Sequence, residues 1–107
     1  MTRVEIDPGI CGQICRVEAQ VQEDGQHVRI QAETGCPHIR GLLDDVGPVA
    51  DGWGLCFNTP GAGPLYGAAP AHLPPHGGCP VLAGIIKCVE AECGLALKKD
   101  AHLHFIE

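Results

Sequence analysis

The chain has 107 residues, 45% of them hydrophobic, and a formal net charge of −6 at pH 7. That length suits one domain with a modest core, and an acidic balance without a run of Lys or Arg argues against nucleic-acid and anionic-membrane partners. No apolar run is long enough to span a bilayer, and the start, Met-Thr-Arg-Val-Glu-Ile-Asp, lacks a signal-like apolar stretch, so a cytoplasmic protein is expected.

Residues 3–6, Arg-Val-Glu-Ile, alternate and predict a strand that Asp7-Pro8-Gly9 ends. From Cys15 to Val21 the alternation puts Cys15, Val17, Ala19 and Val21 on one face and Arg16, Glu18 and Gln20 on the other. It resumes with Val28, Ile30, Ala32 and Thr34 inward. Asp24-Gly25 between them is a two-residue hairpin signal. Centred there, the register pairs Val21 with Val28, Ala19 with Ile30, Val17 with Ala32 and Cys15 with Thr34. A slip of one residue would set every inward side chain against an outward one. The outer face is polar and open to water or a partner.

Two stretches then repeat each other: GCPHIRGLL at 35–43 and GCPVLAGII at 78–86. In the first, Cys36 takes the N-cap and Pro37 the first helical position. Ile39, Leu42, Leu43 and Val46 follow helical spacing until Gly47-Pro48. In the second, Cys79 and Pro80 play the same parts, with Leu82, Ile85, Ile86, Val89 and Cys93 as the stripe and Gly94 as the stop. Gly41 and Gly84 match in position and suggest close backbone approach. Between the helices, residues 48–78 are rich in Gly, Pro and Ala, a long connection in which Pro64 opens a short helix through Leu65, Tyr66 and Ala69. Residues 101–106 alternate again and predict a last strand. The sum is one α+β domain over residues 1–107, a two-layer sandwich with a mostly antiparallel sheet of about four strands and two main helices on one face.

Seven cysteines without an export signal point to reduced thiols rather than a disulfide framework. Extending the hairpin ladder sets Gln13 opposite Cys36 and Cys11 opposite His38, so Cys11 and Cys36 should lie within about 10 Å at one end of the sheet. Cys36 and Cys79 open helices, where the dipole and free N–H groups favour thiolate. If the two helices run parallel, Cys79 joins them, and the sulfurs of Cys11, Cys36 and Cys79 should lie mutually within about 7 Å, suited to zinc or an iron–sulfur cluster. His76, three residues before Cys79, is the candidate fourth ligand, and Cys56 in the long connection is another, or a resolving thiol. Cys15, Cys88 and Cys93 read as core packing, outside that group. His102 and His104 share one strand face and read as an exposed face rather than a metal pair. No nucleophile–base arrangement, phosphate loop or carboxylate pair stands out, so no conventional hydrolase or nucleotide chemistry is expected.

Gly9-Ile10-Cys11-Gly12, Cys36-Pro37 with Ile39, His76-x-x-Cys79-Pro80-Val81, and Gly94-Leu95-Ala96-Leu97-x-Lys99-Asp100 together resemble a family of small proteins of unknown function, found largely in anaerobic bacteria and archaea. The resemblance covers nearly the whole chain and implies that Cys11, Cys36, Cys79 and His76 hold the recurring positions. It implies no activity. Two departures stand out: residues 48–64 are Gly- and Pro-rich where such proteins look helical, and Leu82 stands in place of a second proline. The function expected is a small cytoplasmic protein that binds zinc or an iron–sulfur cluster at Cys11, Cys36 and Cys79. The alternatives are a thiol-redox protein and a metal-free module that docks a protein partner or a second copy of itself. Nothing in the residues decides whether it is an enzyme.

Overall fold

The period-two segments fold as strands in the register their alternation requires. In the computed structural model, which describes residues 1–107, β1 (Thr2–Ile6), β2 (Cys15–Val21) and β3 (His27–Thr34) form antiparallel neighbours. Val21 pairs with Val28, Ala19 with Ile30, Val17 with Ala32 and Cys15 with Thr34. The turn differs in detail from the expected two-residue loop. The Gln22 N–H donates to the His27 carbonyl at 2.8 Å and the Gly25 N–H to the Gln22 carbonyl at 3.0 Å, so the loop is Glu23–Gln26. The longer loop keeps the same register because both are centred on Asp24-Gly25. Gly25 takes the left-handed conformation at φ +73° that a side chain would resist. Asp24 accepts the N–H groups of Gln26 and His27, each at 2.9 Å, and these donors hold its carboxyl down at about 2.

Helix α1 (Pro37–Val46) starts after Cys36 as its N-cap and stops at Gly47, whose φ is +98° and whose N–H bonds the Leu43 carbonyl at 2.9 Å. The chain then returns as β4 (Val49–Asp51), antiparallel to β3, with Arg29 opposite Val49 and His27 opposite Asp51. The fourth strand is thus drawn from the Gly/Pro-rich connection. Residues 101–106 form no strand, which corrects the expected last one. Alternation states which face a strand would bury, but not whether a neighbouring edge is there to pair with. Helix α2 (Gly52–Cys56) follows at once, capped by Asp51, whose carboxylate accepts from Trp53 and Gly54 N–H at 3.1 and 3.2 Å. Helix α3 (Pro64–Ala68) starts at its proline as the sequence indicates, and a 3-10 turn spans Ala69–Ala71. The last helix is α4 (Val81–Glu92). No helix is long and apolar enough to cross a membrane.

The sheet order is β1-β2-β3-β4. On one face α4 covers β1 and β2, while α1 covers β3. Between these layers Cys15, Val17, Ala19 and Val28 meet Ile39, Leu42, Ile85, Cys88 and Val89, all buried. Leu55 of α2 and Leu65 of α3 join this core, so the long connection is structural rather than a free loop. Leu43, Val46 and Ile86 pack at its margin and are only partly buried. The other face carries cross-strand ion pairs, Arg3–Glu18 at 2.8 Å and Arg16–Glu5 at 2.9 Å.

Long-range contacts set the direction of α4. Gly84 lies against the Ile6 side chain, which fills the space a Cβ would need. The Cys88 thiol donates to the Thr2 carbonyl at 3.4 Å. Glu92 accepts from the Thr2 hydroxyl at 2.8 Å and from the Val21 N–H at 2.9 Å. So α4 runs against β1 and along β2, starting at the end of the sheet marked by Ile6, Cys15 and Thr34. Helix α1 leaves β3 at Thr34, so both main helices start at that same end.

Candidate functional site

The shared end of the two helices gathers cysteines from several elements. Cys36 sits in extended backbone at φ −81° and ψ 111°, with no side-chain cap hydrogen bond, so its thiol is not consumed by capping. Its N–H donates to the Thr34 hydroxyl oxygen at 3.1 Å. Cys79 is placed slightly differently from its counterpart. The carbonyl of Pro80 accepts the first helical bond, from Gly84 N–H at 3.0 Å. Pro80 is therefore the N-cap, and Cys79 stands one residue further out than the repeat suggests. The Cys79 N–H closes a turn on the His76 carbonyl at 3.2 Å. Both thiols are partly buried against the core.

Cys15 is the third cysteine here. It opens β2, is fully buried and stands opposite Thr34. Burial pushes its thiol up, a hydrogen bond with the Thr34 side chain works the other way, and charge repulsion from the side of Cys36 and Cys79 adds to the rise. Cys15 pairs with Thr34, whose hydroxyl accepts the Cys36 N–H, so it lies at this end of the sheet. It is core, as expected, and it sits at the sheet end where the two main helices begin. The signal was present in the Cys15–Thr34 register pair, two residues from Cys36. Read only as a face assignment, it hid the fact that the pair lies at the strand end.

Cys11 reaches the same end by another route. It is exposed, in the loop from Asp7 to Ile14 that joins β1 to β2. The loop turns on Gly9 and Gly12, with the Gly12 N–H on the Gly9 carbonyl at 2.9 Å. The Gln13 side chain occupies the space beside Gly35 that a Cβ there would need. The loop thus passes beside Gly35, the residue before Cys36. His76 is exposed on the approach to Cys79. No three His, Cys, Asp or Glu side chains stand together as a metal-holding group in this arrangement. Cys11, Cys36, Cys79 and His76 share one end of the fold without forming a closed cage.

The remaining thiols lie elsewhere. Cys56 lies against the middle of α4, its thiol 4.0 Å from the Ile86 carbonyl. Ile86 is seven residues after Cys79, roughly 10 Å along the helix at about 1.5 Å per residue, so Cys56 stands apart from Cys79. Burial pushes Cys56 up to about 12 and Cys88 up to about 11. Cys93 is partly buried against Gly52, where an added Cβ would meet its sulfur at 2.8 Å.

The matched glycines of the two repeats make room for side chains rather than for backbones. Gly84 admits Ile6. Gly41 admits the ring of His72, whose Nδ1 would lie 3.0 Å from an added Cβ. His72 also bonds Asp45 at 2.8 Å through Nε2, and its carbonyl bonds His38 Nδ1 at 2.9 Å. These contacts strap the segment after α3 onto α1, and so steer the chain back toward Cys79. Nothing in the spacing of His38, Asp45 and His72 announced that strap.

No curated protein and no solved structure matches the chain. A family model matches residues 2–105, a span that takes in every element above and all seven cysteines. The chain belongs to that family, a family of unknown function (DUF6951).

Proposed function

We propose that the protein binds a soft metal centre, zinc or an iron–sulfur cluster, at the end of the sheet where both main helices begin. The observation that carries this reading is the start of both main helices at one end of the sheet, which brings Cys36 and Cys79 to that end. Cys36 and Cys79 are the fixed pair. Cys11, on its exposed glycine-hinged loop, supplies the third sulfur by closing over them, and His76 supplies the fourth donor. Sulfur-rich donor sets suit zinc and iron–sulfur clusters over hard cations. The two helix N-termini would offset the negative charge of such a thiolate centre.

Purification without oxygen, followed by metal analysis and an absorption spectrum, tests this directly. Bound metal at one equivalent or more, lost in Cys36→Ser and Cys79→Ser, is the expected result. Cys11→Ser should lose it as well, and Cys15→Ser should retain it. Retention in Cys11→Ser with loss in Cys15→Ser would reassign the third sulfur to Cys15. A chain that takes up neither iron nor zinc would sink the metal reading. The neighbouring thiols of Cys15 and Cys36 favour a second reading, a thiol-redox protein, which requires a reversible disulfide in the metal-free chain.

A further inference from the structure

The far end of α1 from the cysteines is acidic. Its last turn stands roughly 15 Å along the helix axis from Cys36. That turn carries Asp44 and Asp45 and no basic residue, at the helix end whose dipole favours cations. No Lys or Arg pairs with Asp44, Asp45 or Asp51. Between this end of α1 and β4, α2 and α3 lies a cleft of about 370 Å³, within the range of small-molecule sites. Val46, Ala50, Leu55, Pro64 and Ala68 give it an apolar lining, and Asp45 and Asp51 complete it.

Each of these two carboxylates is anchored through one oxygen and keeps the other. Asp51 Oδ1 accepts from the Trp53 and Gly54 N–H groups at 3.1 and 3.2 Å and from the Gln26 side-chain amide at 2.9 Å. No hydrogen bond reaches its Oδ2. Asp45 Oδ2 bonds His72 Nε2 at 2.8 Å, and no hydrogen bond reaches its Oδ1. The Gln26 amide, with the Gly54 N–H after it, holds the Asp51 carboxyl below its ordinary value, so this group is anionic at neutral pH.

We propose that this cleft binds a small aliphatic ammonium ion, its hydrocarbon chain on the apolar lining and its charged head on the free oxygens of Asp45 and Asp51. The chemistry of the walls narrows the class. Carboxylates beside the negative end of a helix repel anions and give a neutral molecule no advantage. A bare divalent cation demands a shell of oxygen donors, which five apolar residues do not supply. One small molecule fills a cleft of this volume, whereas a protein partner needs a patch of roughly 800 Å² on each side. The site is separate from the thiols, so it stands or falls without the metal centre.

Amide chemical-shift titration of the full chain with pentylammonium tests the proposal. Pentanol serves as the neutral analogue and N-acetyl-lysine amide as the stand-in for a protein side chain. Pentylammonium should shift the amides of Val46, Ala50, Leu55 and Ala68 saturably and leave those of Cys36 and Cys79 unmoved. Pentanol should bind more weakly. Asp45→Asn and Asp51→Asn should each weaken pentylammonium binding roughly two- to fivefold, the size of one exposed ion pair. Asparagine keeps an oxygen for the α2 cap and for His72, so both variants should keep the fold. No saturable shift at the cleft amides overturns the proposal, as does equal affinity for pentanol or unchanged affinity in the double Asn variant. Tighter binding of N-acetyl-lysine amide than of pentylammonium overturns it too, because the cleft would then serve a protein side chain.

Discussion

Ile85 and Ile86 are adjacent, identical residues in the middle of α4, and the structure treats them differently. Ile85 is fully buried between the helix and the sheet, whereas Ile86 lies at the margin of the core toward α2. Replacing either by Ala changes the intrinsic helix preference equally, so the difference between the two variants isolates burial. Truncating a fully buried Ile to Ala removes its transfer free energy and leaves a cavity, at about 2–5 kcal/mol. For the partly buried neighbour about half of that is expected. Total stability for a domain of this kind is about 5–15 kcal/mol, so Ile85→Ala removes a large share. At about 4–8 °C per kcal/mol for a small domain, a loss near 3 kcal/mol lowers Tm by roughly 12–24 °C. Urea unfolding, followed by circular dichroism and by the fluorescence of Trp53, the only tryptophan, gives both free energies. Equal losses for the two variants would refute the packing of α4 described here. A loss below about 0.5 kcal/mol for Ile85→Ala would remove that residue from the core.

Glu92 ties the end of α4 to β1 and β2. Burial alone pushes its carboxyl up, but the Val21 N–H, the Thr2 hydroxyl and the Met1 ammonium 3.4 Å away together outweigh burial and hold it below its ordinary value. A depressed carboxylate stabilises the fold above its unfolded pKa, near 4.3, and loses that contribution as pH falls through the folded value. Glu92→Gln should therefore lower Tm at neutral pH and flatten its decline in acid; an unchanged acid limb would contradict the role given to this carboxylate. Cysteine alkylation should follow burial. Exposed Cys11 should react first, whereas buried Cys15 and Cys88 should react only on unfolding. Mass mapping after brief iodoacetamide treatment reads the order, and Cys88 labelled as fast as Cys11 would show that the core assignment is wrong.

Most of the secondary structure was legible in the sequence for local reasons. The hairpin register follows from a side-chain period of two and a turn centred on Asp24-Gly25, and lengthening the loop to Glu23–Gln26 did not disturb it. The limits of α1 follow from Pro37 and Gly47 and the apolar stripe between them, and Pro64 opens α3 for the same reason. Other features depend on residues far apart in the chain. The fourth strand is Val49–Asp51, too short to show a period and defined only by its pairing with β3. Residues 101–106 carry a clear period yet have no edge beside them. The direction of α4 rests on Ile6, Thr2, Val17 and Val21, each roughly 70 or more residues away, and a helical stripe reads the same in either direction. That direction brings Cys79 to the end where Cys36 and Cys15 lie. Repeated Cys-Pro helix starts can be read in one dimension, but their arrival at one place required the sheet to orient both helices alike.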